Sequence, residues 1–223
     1  MKAGIFMKPI HAVLFDLDGT LANTIGDLHC AVNHALAQAR LPLRTETETL
    51  AAVGNGIRRL IDLSLPSGTP AETADAVFDA FRSYYASHLL VHTEPYPGIP
   101  ALLTRLKAEG IRIGVVSNKF DAGTQAICKG LFPDLIDAVS GEIAGCPRKP
   151  APDLPRRLLS SLRVSPENAL FVGDSEVDAA TADNAGMRFL AVTWGFRTHA
   201  QLAAAGARCF ADSPNDVARV VLW

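Results

Sequence analysis

The chain has 223 residues, of which 48% are hydrophobic and 20% are charged; 21 Lys and Arg against 23 Asp and Glu give a formal net charge of −2. This size suits one large domain or a domain that carries a smaller one, with enough apolar residues for a sizeable core. The lack of a basic excess argues against nucleic acid and anionic membranes as partners. No apolar run is long enough to span a bilayer.

The four cysteines lie far apart and form no Cys-x-x-Cys pair, so the sequence indicates neither a zinc knuckle nor a disulfide framework. A reducing cytoplasm is the expected location. The opening segment MKAGIFMKPIHAVLF has no sustained apolar stretch before Pro9, and we do not expect a signal peptide. The sequence does not decide between Met1 and Met7 as the start of translation, or between a monomer and a homodimer.

The first predicted strand is HAVLFD, residues 11–16. About 95 residues separate it from the next strand, far more than an ordinary connection contains. Apolar residues inside this stretch recur at steps of three and four, as they do in helices. They form two stripes: Ile25, Leu28, Val32, Ala35, Leu36 and Ala39, and then Ala74, Val77, Phe78, Phe81, Tyr84, Tyr85 and Leu89.

We therefore predict that residues 23–91 form a small helical domain inserted into a larger domain made of residues 1–22 and 92–223. The expected linkers are LANT (21–24) and the Pro- and Gly-containing segment HTEPYPG (92–98).

After the insertion, predicted strands alternate with predicted helices. The strands are 111–117, 135–140, 168–174, 188–193 and, more weakly, 208–212; the helices are 99–109, 121–130, 152–163, 176–185, 198–205 and 214–221. Nearly continuous apolar runs are typical of strands buried on both faces of a parallel sheet. The alternation predicts an open, doubly wound α/β fold.

Polar side chains collect where these strands end. The first strand ends in Asp16 and Asp18; a turn accounts for Asp18-Gly19 but leaves Asp16 unexplained. Ser117 and Asn118 end the next strand, and Asp174 follows a later one. Because ligands of such sheets bind outside the carboxyl ends of the strands, we expect these groups to meet.

Two further residues complete the set, Lys149 before a predicted helix and Asp178 just after Asp174. Carboxylates such as Asp16, Asp174 and Asp178 suit Mg²⁺ and would repel one another without a cation. Together with Ser117 and Lys149, the metal would hold a phosphate. One aspartate could then be a nucleophile and another could move protons.

The ordered segments DLDGT, SNK, KP and GDSEVD resemble the four motifs of the haloacid dehalogenase superfamily. The resemblance covers nearly the whole chain and implies a Rossmann-like core with an inserted helical cap. Members with a second aspartate in the first motif transfer phosphoryl groups, so phosphoryl transfer is implied rather than carbon–halogen cleavage.

The resemblance implies a role for each matching position. Asp16 would be the nucleophile, and Asp18 would protonate the leaving oxygen and then activate water. Thr20 would orient Asp18, Ser117 would hold a phosphate oxygen, and Asn118 would line the same pocket.

Lys149 would neutralise charge around Asp16 and the phosphate. Asp174 would bind Mg²⁺ directly with Asp178 in support, while Asp16 and the backbone carbonyl of Asp18 would complete the metal site.

A finer resemblance is to phosphoglycolate phosphatases, through VGNGIRRL (53–60), KPAPDLPRRLL, ADNAGM and VTWGF. Gly54-Asn55-Gly56 is typical of a helix start, whose free N–H groups attract anions. We expect these three residues, with Arg58 or Arg59, to meet the carboxylate of a small phosphorylated acid, 2-phosphoglycolate above all; the alternative is a plain N-cap followed by two solvated arginines.

Several alternatives remain open. Pyrophosphate, a sugar phosphate or a nucleotide could be the substrate, or the chain could be a mutase that uses a sugar bisphosphate. A non-catalytic relative that binds an anion or a protein is disfavoured, because every expected site residue is present. A phosphonate hydrolase is disfavoured because those relatives use a cap lysine, and residues 23–90 contain none.

Overall fold

The computed structural model describes residues 9–223, so the choice between Met1 and Met7 lies outside the described residues. A six-stranded parallel sheet has the order β5-β4-β1-β6-β7-β8, and β2 and β3 form a separate two-stranded ribbon. The strands are β1 (Ala12–Phe15), β2 (Ala22–Asn23), β3 (Glu94–Pro95), β4 (Arg112–Phe120), β5 (Ala138–Glu142), β6 (Ala169–Gly173), β7 (Arg188–Val192) and β8 (Phe210–Ala211).

Helices cover the sheet and fill the long connection after β1. They are α1 (Ile25–Gln38), α2 (Glu46–Ala52), α3 (Gly56–Ser64), α4 (Ala71–Ser87), α5 (Ile99–Ala108), α6 (Asp121–Leu131), α7 (Asp153–Leu162), α8 (Glu176–Ala185), α9 (His199–Ala204) and α10 (Pro214–Leu222), with a 3₁₀ turn at Pro166–Asn168. Within residues 9–223, none of these helices combines the length and apolarity needed to cross a membrane.

The doubly wound parallel sheet with a helical cap is confirmed, and most element bounds agree with the sequence to within two residues. Two strands differ. β4 continues through the polar residues to Phe120, because a register shift lets Phe120 pair with Glu142 of β5. The strand predicted at 135–140 begins later, at Ala138; just before it, the Asp137 N–H donates to the carbonyl of Ile113 and the Asp137 carboxylate accepts the N–H of Ile113.

β1 lies at the centre of the sheet and is fully buried. It pairs with β4 on one side and β6 on the other, so the order of strands reverses there. Val13 and Phe15 enter one apolar core, whereas Ala12 and Leu14 enter the core on the opposite face. The carboxyl ends of β1, β4 and β6 therefore lie side by side at the reversal point, where open α/β sheets bind ligands.

The four inserted helices have an apolar core of their own. α1 and α4 supply most of it, including the fully buried side chains of Leu36, Phe81 and Tyr85. The two connections to the sheet are paired as an antiparallel ribbon, with Ala22 opposite Pro95 and Asn23 opposite Glu94. The sequence did not predict this pairing, because each strand has only two residues.

A buried carboxylate fastens the second connection to the first helix of the insertion. Asp27, in the first turn of α1, accepts the backbone N–H groups of Val91, His92 and Thr93 at 2.9–3.1 Å and the Thr93 hydroxyl at 2.7 Å. Because Asp27 is 1% exposed, water has little access to its oxygens, and these four hydrogen bonds hold the connection to α1.

We expect Asp27→Asn to lower the free energy of unfolding by on the order of 3 kcal/mol, because an amide has one accepting oxygen where the carboxylate has two. Urea unfolding measures the change. Asp79→Asn, an exposed change on the neighbouring helix α4, should stay within about 0.5 kcal/mol of the unmutated protein. A loss below about 1 kcal/mol for Asp27→Asn would mean that these bonds contribute little net stability.

Candidate active site

A cleft opens where the carboxyl ends of β1, β4 and β6 face the inserted helices. Its lining combines charged groups from the sheet with apolar groups from α1 and α3. The lining residues are Asp16, Asp18, Leu28, Val53, Gly54, Gly56, Ile57, Leu60, Ser117, Asn118, Lys119, Asp174, Ser175, Phe196 and Arg197.

Lys149 lies at the floor of the charged region and is 1% exposed. Its ammonium is 2.9 Å from Asp16 Oδ1 and donates to Asp178 Oδ1 at 2.7 Å. Asp178 is held from its other side, because its Oδ2 accepts both the N–H and the hydroxyl of Ser175 at the start of α8. Asp16 therefore has a fixed cationic neighbour while its carboxylate still lines the cleft.

Asp174 is held by two donors. The Thr20 hydroxyl donates to its Oδ1 at 2.8 Å, and the backbone N–H of Phe196 donates to its Oδ2 at 2.7 Å. Gly19 permits the close approach, since a Cβ on it would lie 2.3 Å from Asp174 Oδ2, and its φ of +85° disfavours other residues.

The predicted contact between Thr20 and Asp18 is wrong. The turn at Gly19 directs Thr20 towards Asp174, and Thr24 takes the expected place by donating to Asp18 Oδ1 at 2.6 Å. Sequence alone favoured Thr20 because it belongs to the DLDGT segment, whereas Thr24 reaches Asp18 only through the fold of the turn.

Asp18 is also paired with a lysine that the sequence analysis assigned no role. Lys119 Nζ is 3.1 Å from Asp18 Oδ1 and donates to the Tyr85 hydroxyl of α4 at 2.7 Å. Burial acts to lower the pKa of Lys119, but the charge of Asp18 and the contact with Tyr85 outweigh it and leave that pKa raised. Burial raises the pKa of Tyr85 to about 12, so its hydroxyl stays protonated at neutral pH.

Ser117 and Asn118 lie in the last part of β4. Ser117 Oγ accepts the N–H of Lys119, which leaves its own hydrogen to donate into the cleft. Asn118 Nδ2 donates to the carbonyl oxygens of Gly54 and Lys149, so this side chain connects the sheet, the insertion and the loop before α7. Its Oδ1 is buried without a hydrogen-bond partner in the described chain.

Side chains of Asp16, Asp174 and Asp178 form a cluster whose ligand atoms lie within 4.8 Å of one another. Burial, and then the charge of Asp178, raise the pKa of Asp16 against the opposing effect of Lys149. Burial and Asp178 likewise raise the pKa of Asp174, to about 7. These groups fit a divalent cation, because a cation relieves their repulsion and carboxylate oxygens are the ligands that hard cations take. The carboxylate of Asp18 lies outside the cluster, and the role expected of its carbonyl stays a prediction.

On the side of the insertion, α3 begins at Gly56 with Asn55 at its N-cap, as predicted. Gly54 and Gly56 line the cleft, but Asn55, Arg58 and Arg59 do not. The structure contradicts the expected contact of the two arginines with the cleft.

Leu60 and Ile61, the buried apolar side chains of α3, fix the rotation of this helix, and Arg58 and Arg59 are thereby exposed. Arg58 pairs with Asp62 and Asp75 instead.

Arg197, from the loop after β7, is the arginine that lines the cleft. Its Nη2 donates to the carbonyl of Val53 at 2.8 Å and its Nε to Glu176 at 3.1 Å. It directly follows VTWGF, so the signal was available in the sequence, but nothing there showed that this loop reaches the insertion.

The model of the haloacid dehalogenase-like hydrolase family matches residues 13–192. The chain belongs to this family.

Within the family it is a phosphatase-type hydrolase, similar to phosphoglycolate phosphatases. The phosphoglycolate phosphatase of Cereibacter sphaeroides (strain ATCC 17025 / ATH 2.4.3) is 39% identical over 191 residues, which cover 83% of this chain and 86% of that protein.

Two solved structures have a similar fold. A crystal structure of a proposed phosphoglycolate phosphatase from Lactobacillus delbrueckii subsp. bulgaricus has a TM-score of 0.91 and 31% sequence identity. The match covers 96% of this chain and 98% of that protein. CbbY from Rhodobacter sphaeroides in complex with xylulose-(1,5)bisphosphate has a TM-score of 0.71 and 27% sequence identity. The match covers 92% of this chain and 95% of CbbY.

The raised pKa of Asp174 makes the stability of the metal-free protein depend on pH. The folded protein holds a proton on Asp174 up to about pH 7, whereas the unfolded chain releases it near 3.8. Folding therefore takes up a proton between these values, and this contribution to stability, complete below the lower pKa, is lost as the pH rises through the upper one. We expect the unfolding free energy, relative to Asp174→Asn, to fall by up to about 1.4 kcal/mol per pH unit in that window.

Urea unfolding in the presence of a chelator, at several pH values from 4 to 8, measures the difference. Asp183→Asn alters an exposed carboxylate of α8, the helix that follows Asp174, and is the control, in which the pH dependence of the unmutated protein should persist. A difference between the unmutated protein and Asp174→Asn that does not vary with pH would contradict the raised pKa.

Proposed function

We propose that the protein is a Mg²⁺-dependent phosphatase that hydrolyses a small phosphate monoester through an aspartyl-phosphate, with 2-phosphoglycolate as the favoured substrate. The observation that carries the proposal is Asp16 itself. Its carboxylate lines the cleft, is backed by the buried ammonium of Lys149 and lies beside a second aspartate that is not part of the acidic cluster.

Each step uses a group of this chain. An oxygen of Asp16 attacks phosphorus, and the bond from phosphorus to the ester oxygen breaks. Asp18 donates its proton to that leaving oxygen and then removes a proton from the water that hydrolyses the acyl phosphate. Thr24 and Lys119 keep the carboxylate of Asp18 in place.

The remaining groups position the phosphate. The free hydrogen of the Ser117 hydroxyl and the charge of Lys149 would stabilise its oxygens. Asp16, Asp174 and the backbone carbonyl of Asp18 would hold Mg²⁺, which supplies charge neutralisation for the phosphoryl group. Asp178 would support the metal site indirectly, because both of its oxygens already accept hydrogen bonds.

The favoured substrate rests on the relatives that are named phosphoglycolate phosphatase, at 30–40% identity over most of the chain. A sugar bisphosphate is the second candidate, because CbbY binds xylulose-(1,5)bisphosphate in a related fold.

We also propose that residues 23–91 act as a cap domain on a core made of residues 1–22 and 92–223. The separate apolar core of α1–α4 and the ribbon between the two linkers support this division. Movement of the cap over the strand ends would exclude water while the aspartyl-phosphate forms.

We expect an aspartate-bound phosphate mimic such as beryllofluoride, added with Mg²⁺, to slow hydrogen exchange in the linker segments 21–24 and 92–98. The mimic would favour the closed position of the cap and so reduce opening of the ribbon. Exchange in α7 serves as the internal control. Equal exchange in both linkers with and without the mimic would indicate a cap that does not move.

The covalent step predicts that Asp16→Asn loses at least about a thousandfold in kcat, because the amide is not a nucleophile. Circular dichroism should show an intact fold. Removal of Mg²⁺ by a chelator should abolish turnover of the unmutated enzyme, and added Mg²⁺ should restore it. Substantial activity of Asp16→Asn would contradict the covalent mechanism.

Asp18→Asn is the matched variant, since it keeps the nucleophile but removes the proton donor and base. After reaction with p-nitrophenyl phosphate, whose leaving group departs without a proton, and a quench in acid, mass spectrometry should find a phosphoryl group on Asp16 in this variant and none in Asp16→Asn. Ca²⁺ in place of Mg²⁺ should inhibit, because its larger coordination shell lets Asp16 bind through both oxygens.

A further inference from the structure

We propose that Arg197 binds the carboxylate of the substrate and so selects phosphate esters of small carboxylic acids over neutral esters. This inference rests on the proposed phosphatase function. It assigns the recognition of the substrate to a loop of the sheet rather than to the exposed arginines of α3.

Arg197 begins close to the charged groups. Its neighbour Phe196 donates its N–H to Asp174 at 2.7 Å, so the Arg197 Cα lies one residue, about 3.8 Å, from a backbone position fixed to the acidic cluster. Both Arg197 and Asp16 line the same cleft. A ligand whose phosphate meets Asp16 could therefore place a second charged group beside Arg197 in this cleft.

The guanidinium is held in place yet keeps donors free. Its side chain is 12% exposed, and one N–H each goes to Glu176 and to the carbonyl of Val53. A guanidinium has five N–H donors, which leaves three for a ligand. A planar fork fixed by two bonds is suited to a carboxylate, which it binds through two parallel hydrogen bonds.

The two lysines near the strand ends pair with aspartates of the site, whereas Arg197 pairs with Glu176. Lys149 contacts Asp16 and Asp178, and Lys119 contacts Asp18 and Tyr85. Among the described residues that line the cleft, Arg197 is the cation that does not pair with an aspartate of the site.

The cleft surface contributed by the inserted helices is largely apolar, with Leu28, Ile57 and Leu60, and Phe196 adds to it from the sheet. A carboxylate in these surroundings has Arg197 as its charged partner.

Two pairs of ligands differ only in the charge of the arm. 2-Phosphoglycolate and its carboxamide report turnover, whereas 3-phosphonopropionate and its carboxamide report binding without a cleavable ester bond. Each pair is measured with the unmutated enzyme, Arg197→Met and Arg197→Lys. The matched control is Arg148→Met, because Arg148 is exposed, its guanidinium approaches Gly56, and it does not line the cleft.

We expect Arg197→Met to lower kcat/KM for phosphoglycolate and affinity for phosphonopropionate roughly ten- to a hundredfold, the range of a charge-assisted hydrogen bond. The carboxamides should change by no more than about threefold. Arg197→Lys should lose less than Arg197→Met, because it keeps the charge without the fork. This variant also tests the inference if Arg197→Met does not fold.

Equal losses for the charged and neutral ligands would overturn the inference, because Arg197 would then only connect the loop to Val53. The same holds if Arg148→Met shows the discrimination, or if the unmutated protein does not prefer the charged ligands. If selective binding of phosphonopropionate depends on Arg197 but no ester is hydrolysed, the inference stands and the proposed phosphatase function fails.

Discussion

Like-charge repulsion at the end of a buried strand is the constraint on which the rest of this structure depends. Asp16, Asp174 and Asp178 lie close together, and burial with the charge of Asp178 raises the pKa values of Asp16 and Asp174. The buried ammonium of Lys149 offsets part of that repulsion, and the hydrogen-bond donors around Asp174 and Asp178 offset a further part. The repulsion that remains would favour a divalent cation, as the proposed function requires. The close contacts of Gly19 and Gly195 with Asp174 follow, because only glycine leaves room for carboxylates packed this tightly.

Much of the fold followed from periodicity. The strand AVLF is apolar without alternation because both of its faces are buried, and that pattern correctly indicated a parallel sheet. The insertion was visible because Leu28, Val32 and Leu36 repeat at helical steps over a stretch too long for a loop. The ribbon at Ala22 and Pro95 was not visible in the sequence. Strands of two residues are stabilised by their partner strand and are too short to show a periodic pattern of apolar residues.

The same holds for the candidate site: some of its residues could be predicted from the sequence and others could not. Asp16 and Asp174 were predictable because each directly follows a strand, and Ser117 because it lies in the last part of one; the fold brings these strand ends together. The hydrogen-bond partners of those residues were not predictable. Turn geometry decides which hydroxyl contacts which carboxylate, as Thr20 and Thr24 demonstrate. The sequence also shows where an arginine occurs in the chain, but not which way its side chain points. The buried side of α3 turns Arg58 outward, whereas a loop fixed to Asp174 turns Arg197 inward.

The contact of Lys119 with Tyr85 has a consequence for the energetics of cap movement. Lys119 and Asp18 belong to the sheet, but the hydroxyl that completes the environment of the ammonium comes from α4. If α4 withdraws, water reaches an ion pair that it is now kept from, and the attraction between the two charges weakens as the local dielectric constant rises. If the proposed cap movement occurs, the electrostatic attraction that holds Asp18 would be weaker when the insertion is withdrawn than when it contacts Lys119.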